Sequence, residues 1–151
     1  MRTKERGFTL VELIIVMAVI SVLISGIMPH LRGMQHESQL TKAEQELTTL
    51  KSAILSYWKN NNYLYPANIH AALMSASPNI LKAVLDDPFD TDGPNKTYGY
   101  VTGNDSSYGD YFAVYTKGPL ADTTPNWDSA NKRFTYAGTG RVVSNAPVTK
   151  Q

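Results

Sequence analysis

Gly7-Phe8-Thr9-Leu10-Val11-Glu12 runs without a break into Leu13-Ile14-Ile15-Val16-Met17-Ala18-Val19-Ile20-Ser21-Val22-Leu23-Ile24-Ser25-Gly26-Ile27-Met28. Residues 13–28 carry no charge. With Phe8 to Glu12 in front, the stretch reaches the roughly 20 apolar residues that cross a bilayer as a helix. Arg2, Lys4 and Arg6 precede it, and such a flank stays on the cytoplasmic side. Glu12 is the misfit. An acid at mid-bilayer costs on the order of 2.5–3.5 kcal/mol, and less near the edge. No Lys or Arg lies within the segment. Its partner is therefore expected on another molecule, or in a new amino terminus made by cleavage.

Two simpler readings compete. A secretory signal peptide has an apolar core of about 7–15 residues and a small-x-small cleavage site. This core is longer, and Ser25-Gly26 lacks a small residue at the right offset upstream. A plain single-pass anchor explains the length, but neither Glu12 nor the Gly7-Phe8 junction.

Basic leader, Gly-Phe-Thr-Leu-Val-Glu, apolar run and Pro29 together resemble the prepilin signature of type IV pilins and type II secretion pseudopilins. The resemblance implies that residues 1–7 are a leader, cut after Gly7 by a membrane-embedded prepilin peptidase. Phe8 would then be the new, N-methylated terminus, and Glu12 would pair with the terminal amine of a neighbouring subunit. Gly26 and Pro29 weaken the helix, since proline cannot donate to the residue four back and biases its predecessor away from helix. On the residues alone this is a mild kink. The resemblance implies local melting there when subunits pack in a filament.

The remainder fits one further domain. The chain has 151 residues, and about 120 remain beyond leader and membrane segment, enough for one modest core. A net charge of +1, with no dense basic run after the leader, gives no footprint for strong nucleic-acid binding. Cysteine is absent, so an outward-facing domain must hold by packing, by neighbours or by a metal. The divisions expected are a leader at 1–7, a transmembrane and assembly helix at 8–31, and a pilin-like globular domain at 32–151 that includes the second half of the long helix.

Leu40, Ala43, Leu47, Leu50, Ile54 and Tyr57 alternate steps of three and four and line one helix face. Lys42, Glu44, Glu46, Thr48, Lys51 and Ser52 fall on the outer face. A single helix from Phe8 to about Lys59 would measure ~75 Å. A coiled coil competes for this stripe, but three heptads are short, and the half that is apolar all round favours the membrane. Asn60-Asn61-Asn62 should end the helix, since Asn tolerates the left-handed conformation. Tyr65-Pro66, following the helix as a Tyr-Pro pair does in pseudopilins, reads as an extended linker. Asn68 should cap a short helix over Ile69 to Ser75. Ser77-Pro78 should open another to about Leu85.

Strand patterns follow at Thr97 to Val101 and Asp110 to Thr116, with a turn over Asn104 to Gly109. Lys117 to Asn131 reads as a long polar loop. Lys132 to Tyr136 and Arg141 to Ser144 read as a last hairpin around Gly138-Thr139-Gly140, with a loose tail from Asn145. The fold class is α+β: a long amino-terminal helix packed on a small antiparallel sheet. Asp87-Pro88-Phe89 before a Tyr-rich strand pair, and Gly118 after it, make the late pattern similar to the major pseudopilin.

Enzyme chemistry finds little purchase. His30, His36 and His70 lack His-x-x-x-His spacing, and no Gly-x-Ser-x-Gly elbow or phosphate-binding glycine loop occurs. Nine tyrosines and two tryptophans at scattered spacing suit a core and subunit contacts. No cofactor is assigned, with calcium the one candidate. Asp90-x-Asp92-Gly93-x-Asn95 lacks the closing bidentate Glu of an EF-hand and reads better as an Asp-capped turn. Major pseudopilins bind calcium in a loop between their last strands, which points to Asp122 and Asp128. Yet Pro119-Leu120-Ala121 stand where an acidic residue would follow Gly118.

The function expected is structural, not enzymatic: a subunit held in the inner membrane with its domain outside the cytoplasm, then added to a type II secretion pseudopilus or type IV pilus. Its partners would be identical subunits, other pilins, prepilin peptidase and the inner-membrane assembly platform. The alternatives are a minor pilin for adhesion or DNA uptake, which calls for a Lys/Arg surface patch, and a singly anchored exported protein.

Overall fold

A computed structural model describes residues 8–90 and 96–151. Gly7, and the Asp92-Gly93-x-Asn95 portion of the acidic turn, lie outside the described residues. The chain divides into two compact units, residues 1–37 and 38–151. Helix α1 (Leu10–Asn60) supplies the described helical part of the first and opens the second.

In the second unit the predicted stripe is the core. Ala43, Leu47, Leu50 and Ile54 are fully buried, joined by Ala53, while Leu40 and Tyr57 pack at the margin. Burying each large side chain is worth about 1.5–3 kcal/mol, so this one face outweighs the weak propensity of any single turn. Glu46 departs from its expected place on the outer face. It is half-buried and accepts a 2.6 Å hydrogen bond from the Tyr98 hydroxyl. The helix ends at the asparagines as expected: Asn62 and Tyr63 take φ of 52° and 61°, and the Tyr63 amide donates back to the Trp58 carbonyl at 3.0 Å. Helix α2 (Ile69–Ser75) follows with Asn68 as its cap, Oδ1 accepting from the Ala71 amide at 3.2 Å. Ile69 and Leu73 turn it onto α1.

No helix forms over residues 77–85. The amides of Ile80 and Leu81 both return to the Leu73 carbonyl, at 3.2 and 3.1 Å. Closing the end of α2 in this way takes the Leu81 amide, which a helix capped at Ser77 would give to the Ser77 carbonyl, and Leu81 is drawn into the core.

Strands β1 (Gly99–Asp105) and β2 (Gly109–Tyr115) form the expected antiparallel hairpin, with pairing that reaches Asp105↔Gly109. Four short strands complete two sheets: β3 (Asn126–Asp128), β4 (Arg133–Tyr136), β5 (Val142–Ser144) and β6 (Val148–Lys150). The first sheet has the order β1-β2-β5 and is antiparallel throughout; the second has the order β3-β4-β6, with β6 parallel to β4. Three expectations are corrected here. Segments 132–136 and 141–144 are strands but not one hairpin, because β5 takes the free edge of β2 while β4 pairs with β3 and β6. The loop 117–131 contains β3. The tail is not loose, because β6 is held by β4 and the Phe134 amide donates to the Pro147 carbonyl at 2.8 Å.

Strand β2 is buried on both faces. Phe112 and Val114 join the α1 core, while Ala113, pointing the other way, joins Phe134 and Ala146 under Tyr111 and Trp127. The fully buried carboxylate of Asp87 ties the 86–90 loop to the end of β2 by accepting from Thr116 Oγ1 at 2.6 Å, the Phe89 amide at 3.0 Å and the Lys117 amide at 3.1 Å. With three donors on it, the buried charge is compensated.

Candidate functional site: the exposed apolar helix and its capped entrance

The first turn of α1 is built by two residues. The Glu12 carboxylate accepts from the Thr9 amide and the Thr9 hydroxyl, each at 2.9 Å, and Thr9 Oγ1 accepts from the Glu12 amide at 3.3 Å. The Leu13 amide reaches the Thr9 carbonyl at 3.3 Å. This is a reciprocal capping box, Thr at the cap and Glu three residues on, and it satisfies donors that a helix start leaves open. A negative group there also meets the positive end of the helix dipole. Glu12 thus has hydrogen-bond donors within its own chain, both on Thr9. The Thr-x-x-Glu spacing was the signal available for it.

From Leu10 to Met28 the helix is long and apolar enough to cross a membrane, and none of that span is buried within the chain. Exposure is all round: Val16 is half exposed, Leu10 and Val22 nearly three-quarters. Twelve Leu, Ile and Val residues lie in it. At about 0.3–0.6 kcal/mol each they favour insertion by about 4–7 kcal/mol. That exceeds the cost of Glu12, which sits at the end of the span and is already hydrogen-bonded. Ser21 turns its hydroxyl onto the Met17 carbonyl at 2.8 Å, so it adds no open donor.

Phe8 stands just outside the cap, 90% exposed. Gly26 and Pro29 both lie within α1, whose helical assignment continues through them. No heavy atom stands near the position a Cβ would take on Gly26, so packing within this chain does not require glycine there. Among the described residues no cluster of three or more His, Asp or Glu could hold a metal.

Residues 2–28 match the family described as the prokaryotic N-terminal methylation motif. The chain is 38% identical over 63 residues to type II secretion system core protein G of Escherichia coli strain K12, covering 42% of this chain and 43% of the relative. The core protein G of Vibrio cholerae is 33% identical over 63 residues, 42% of either chain. A type IV major pilin protein PilE1 of Neisseria gonorrhoeae is 31% identical over 80 residues, 53% of this chain and 37% of the relative. Each match takes in less than half of the relative's length. No solved structure matches. The chain carries the prokaryotic N-terminal methylation motif, and over about half its length it is similar to type II secretion system core protein G and to type IV major pilin proteins.

Proposed function

We propose that this chain is a structural subunit of a helical filament, a type II secretion pseudopilus or type IV pilus. The observation that carries the reading is the wholly exposed apolar span directly behind a methylation motif. A surface of that kind needs lipid before assembly and other helices afterwards. In this reading prepilin peptidase cuts after Gly7, Phe8 becomes the methylated terminus, and the globular unit faces away from the cytoplasm because Arg2, Lys4 and Arg6 hold the leader inside. Gly26 and Pro29 let the helix loosen as subunits pack.

Glu12 is the assembly residue. Its carboxylate is engaged by Thr9. Cleavage creates a cationic amine on Phe8. In lipid an amine and a carboxylate are each costly alone and cheaper together. An incoming subunit's amine can therefore draw on the same carboxylate and fix the axial step. Glu12→Val makes the span more apolar, so insertion and cleavage are expected to survive while filaments fail. Cells making the variant are fractionated for processed subunit, and assayed for sheared filaments or secreted substrate. Normal assembly of processed Glu12→Val would exclude the charge pairing. A mature terminus other than methylated Phe8 by mass spectrometry would exclude the prepilin route itself.

A further inference from the structure

The resemblance to the major pseudopilin raises calcium in the loop after β2, and the side chains of that loop do not suit a cation. We infer that residues 117–123 are instead closed by a hydrogen-bonded latch centred on Asp122, and that their order is independent of divalent metal. Asp122 Oδ1 accepts from the Thr139 amide and the Thr139 hydroxyl, both at 2.8 Å, and from Thr123 Oγ1 at 3.4 Å. Thr123, almost fully buried, accepts from the Gly140 amide at 2.7 Å. Thr139 Oγ1 accepts in turn from the Leu120 amide at 3.3 Å. The 117–123 loop and the 138–140 turn are therefore joined by N–H and O–H donors aimed at Asp122 Oδ1, Thr123 Oγ1 and Thr139 Oγ1.

Calcium takes six to eight oxygen ligands, with carboxylates prominent among them. After Gly118 the chain offers Pro119, an exposed Leu120 and Ala121. Asp128, the other acid in reach by sequence, accepts from the amides of Ala130 and Asn131, each at 3.1 Å, and from Asn131 Nδ2 at 2.7 Å. The two carboxylates serve separate turns. The loop is also tied at its start, where Lys117 gives its amide to Asp87 and its ammonium to Asp90 at 3.0 Å. Within it, Thr123 N reaches Lys117 O at 3.3 Å and Ala121 N reaches Gly118 O at 3.0 Å. Backbone approach is close enough to demand glycine: Gly138 has φ +105°, and a Cβ there would stand 2.8 Å from the Asp122 carbonyl oxygen.

The test is amide hydrogen exchange and thermal unfolding of the full chain in detergent micelles, with millimolar calcium or with EDTA. Protection of the Thr139 and Gly140 amides and the Tm are expected to be the same in both, since a ligand raises Tm only if the native state binds it. Asp122→Ala is expected to speed exchange at Thr139 roughly tenfold or more, as loss of a hydrogen bond to a charged acceptor does. Thr139→Val, which keeps the amide donor and removes the hydroxyl, gives a smaller rise and serves if the first variant does not fold. A Tm that falls on chelation and returns with calcium would overturn the inference. So would full protection of Thr139 in Asp122→Ala.

Discussion

Thr9 and Glu12 hold the first turn of α1 closed with three mutual hydrogen bonds, so the residue proposed for assembly already has a local task. Removing a helix cap costs about 0.5–2 kcal/mol. Thr9→Ala is therefore expected to speed amide exchange over residues 10–13 in micelles and to leave the Tm of the globular unit unchanged. An unchanged exchange pattern would show that the cap contributes nothing in lipid-like surroundings. Asp87 sits at the opposite extreme, fully buried with three donors on it. Asp87→Ala strands those donors, and each buried unsatisfied group costs about 1–3 kcal/mol. Denaturant unfolding should show a loss of about 2–4 kcal/mol, with Asp87→Asn losing less because it keeps an acceptor.

At the scale of elements, α1 changes its surroundings along its length. Leu50 is fully buried against the core while Ile14 is more than half exposed. Leu50→Ala should cost about 2–5 kcal/mol in unfolding of the globular unit, whereas Ile14→Ala should leave that transition where it is. Equal effects would mean that the two stretches do not play different parts. The β1–β2 hairpin carries its own anchor: the Asp105 carboxylate at its tip accepts from the Lys132 ammonium at 2.9 Å and Trp127 Nε1 at 3.2 Å. That ties the first sheet to β3 and to the connection between β3 and β4.

Across the whole molecule, titration works from two directions. Burial holds the His70 imidazole below its ordinary range, against the opposing pull of the Leu85 carbonyl and Asp86, and its Nε2 is buried without a partner. A His with a depressed folded pKa contributes its full stability above the unfolded value of about 6.5. That contribution falls as pH drops below it, because the unfolded chain then binds the proton more readily. Hydrogen bonds from Lys132 and the Ser107 amide hold Asp105 well below the usual carboxylate range. Those from Thr139 and Asn131 lower Asp122 and Asp128 in turn. Their contribution persists until the pH passes below about 3.9. Tm should therefore decline in two stages on acidification. His70→Gln should flatten the first stage alone; a first stage unchanged in that variant would assign it to another group.

What the sequence by itself determined is what repeats over many residues. The membrane-length run, the period of Leu40 to Tyr57, the asparagine stop and the Asn68 cap are each local, and the structure has them where the residues place them. Local patterns also named the β1–β2 hairpin, where strand formers surround a turn. The tertiary structure alone decided the partners of the last four strands. Three or four residues carry almost no periodicity, and which edge such a strand joins depends on the surface already in place. Strand β2, buried on both faces, offers β5 an edge, and Phe134 needs β6 and Ala146 around it to leave water. Nor could sequence show that Glu46 turns inward to Tyr98, or that Asp122 is spent on Thr139, because both bonds join residues separated by long stretches of chain.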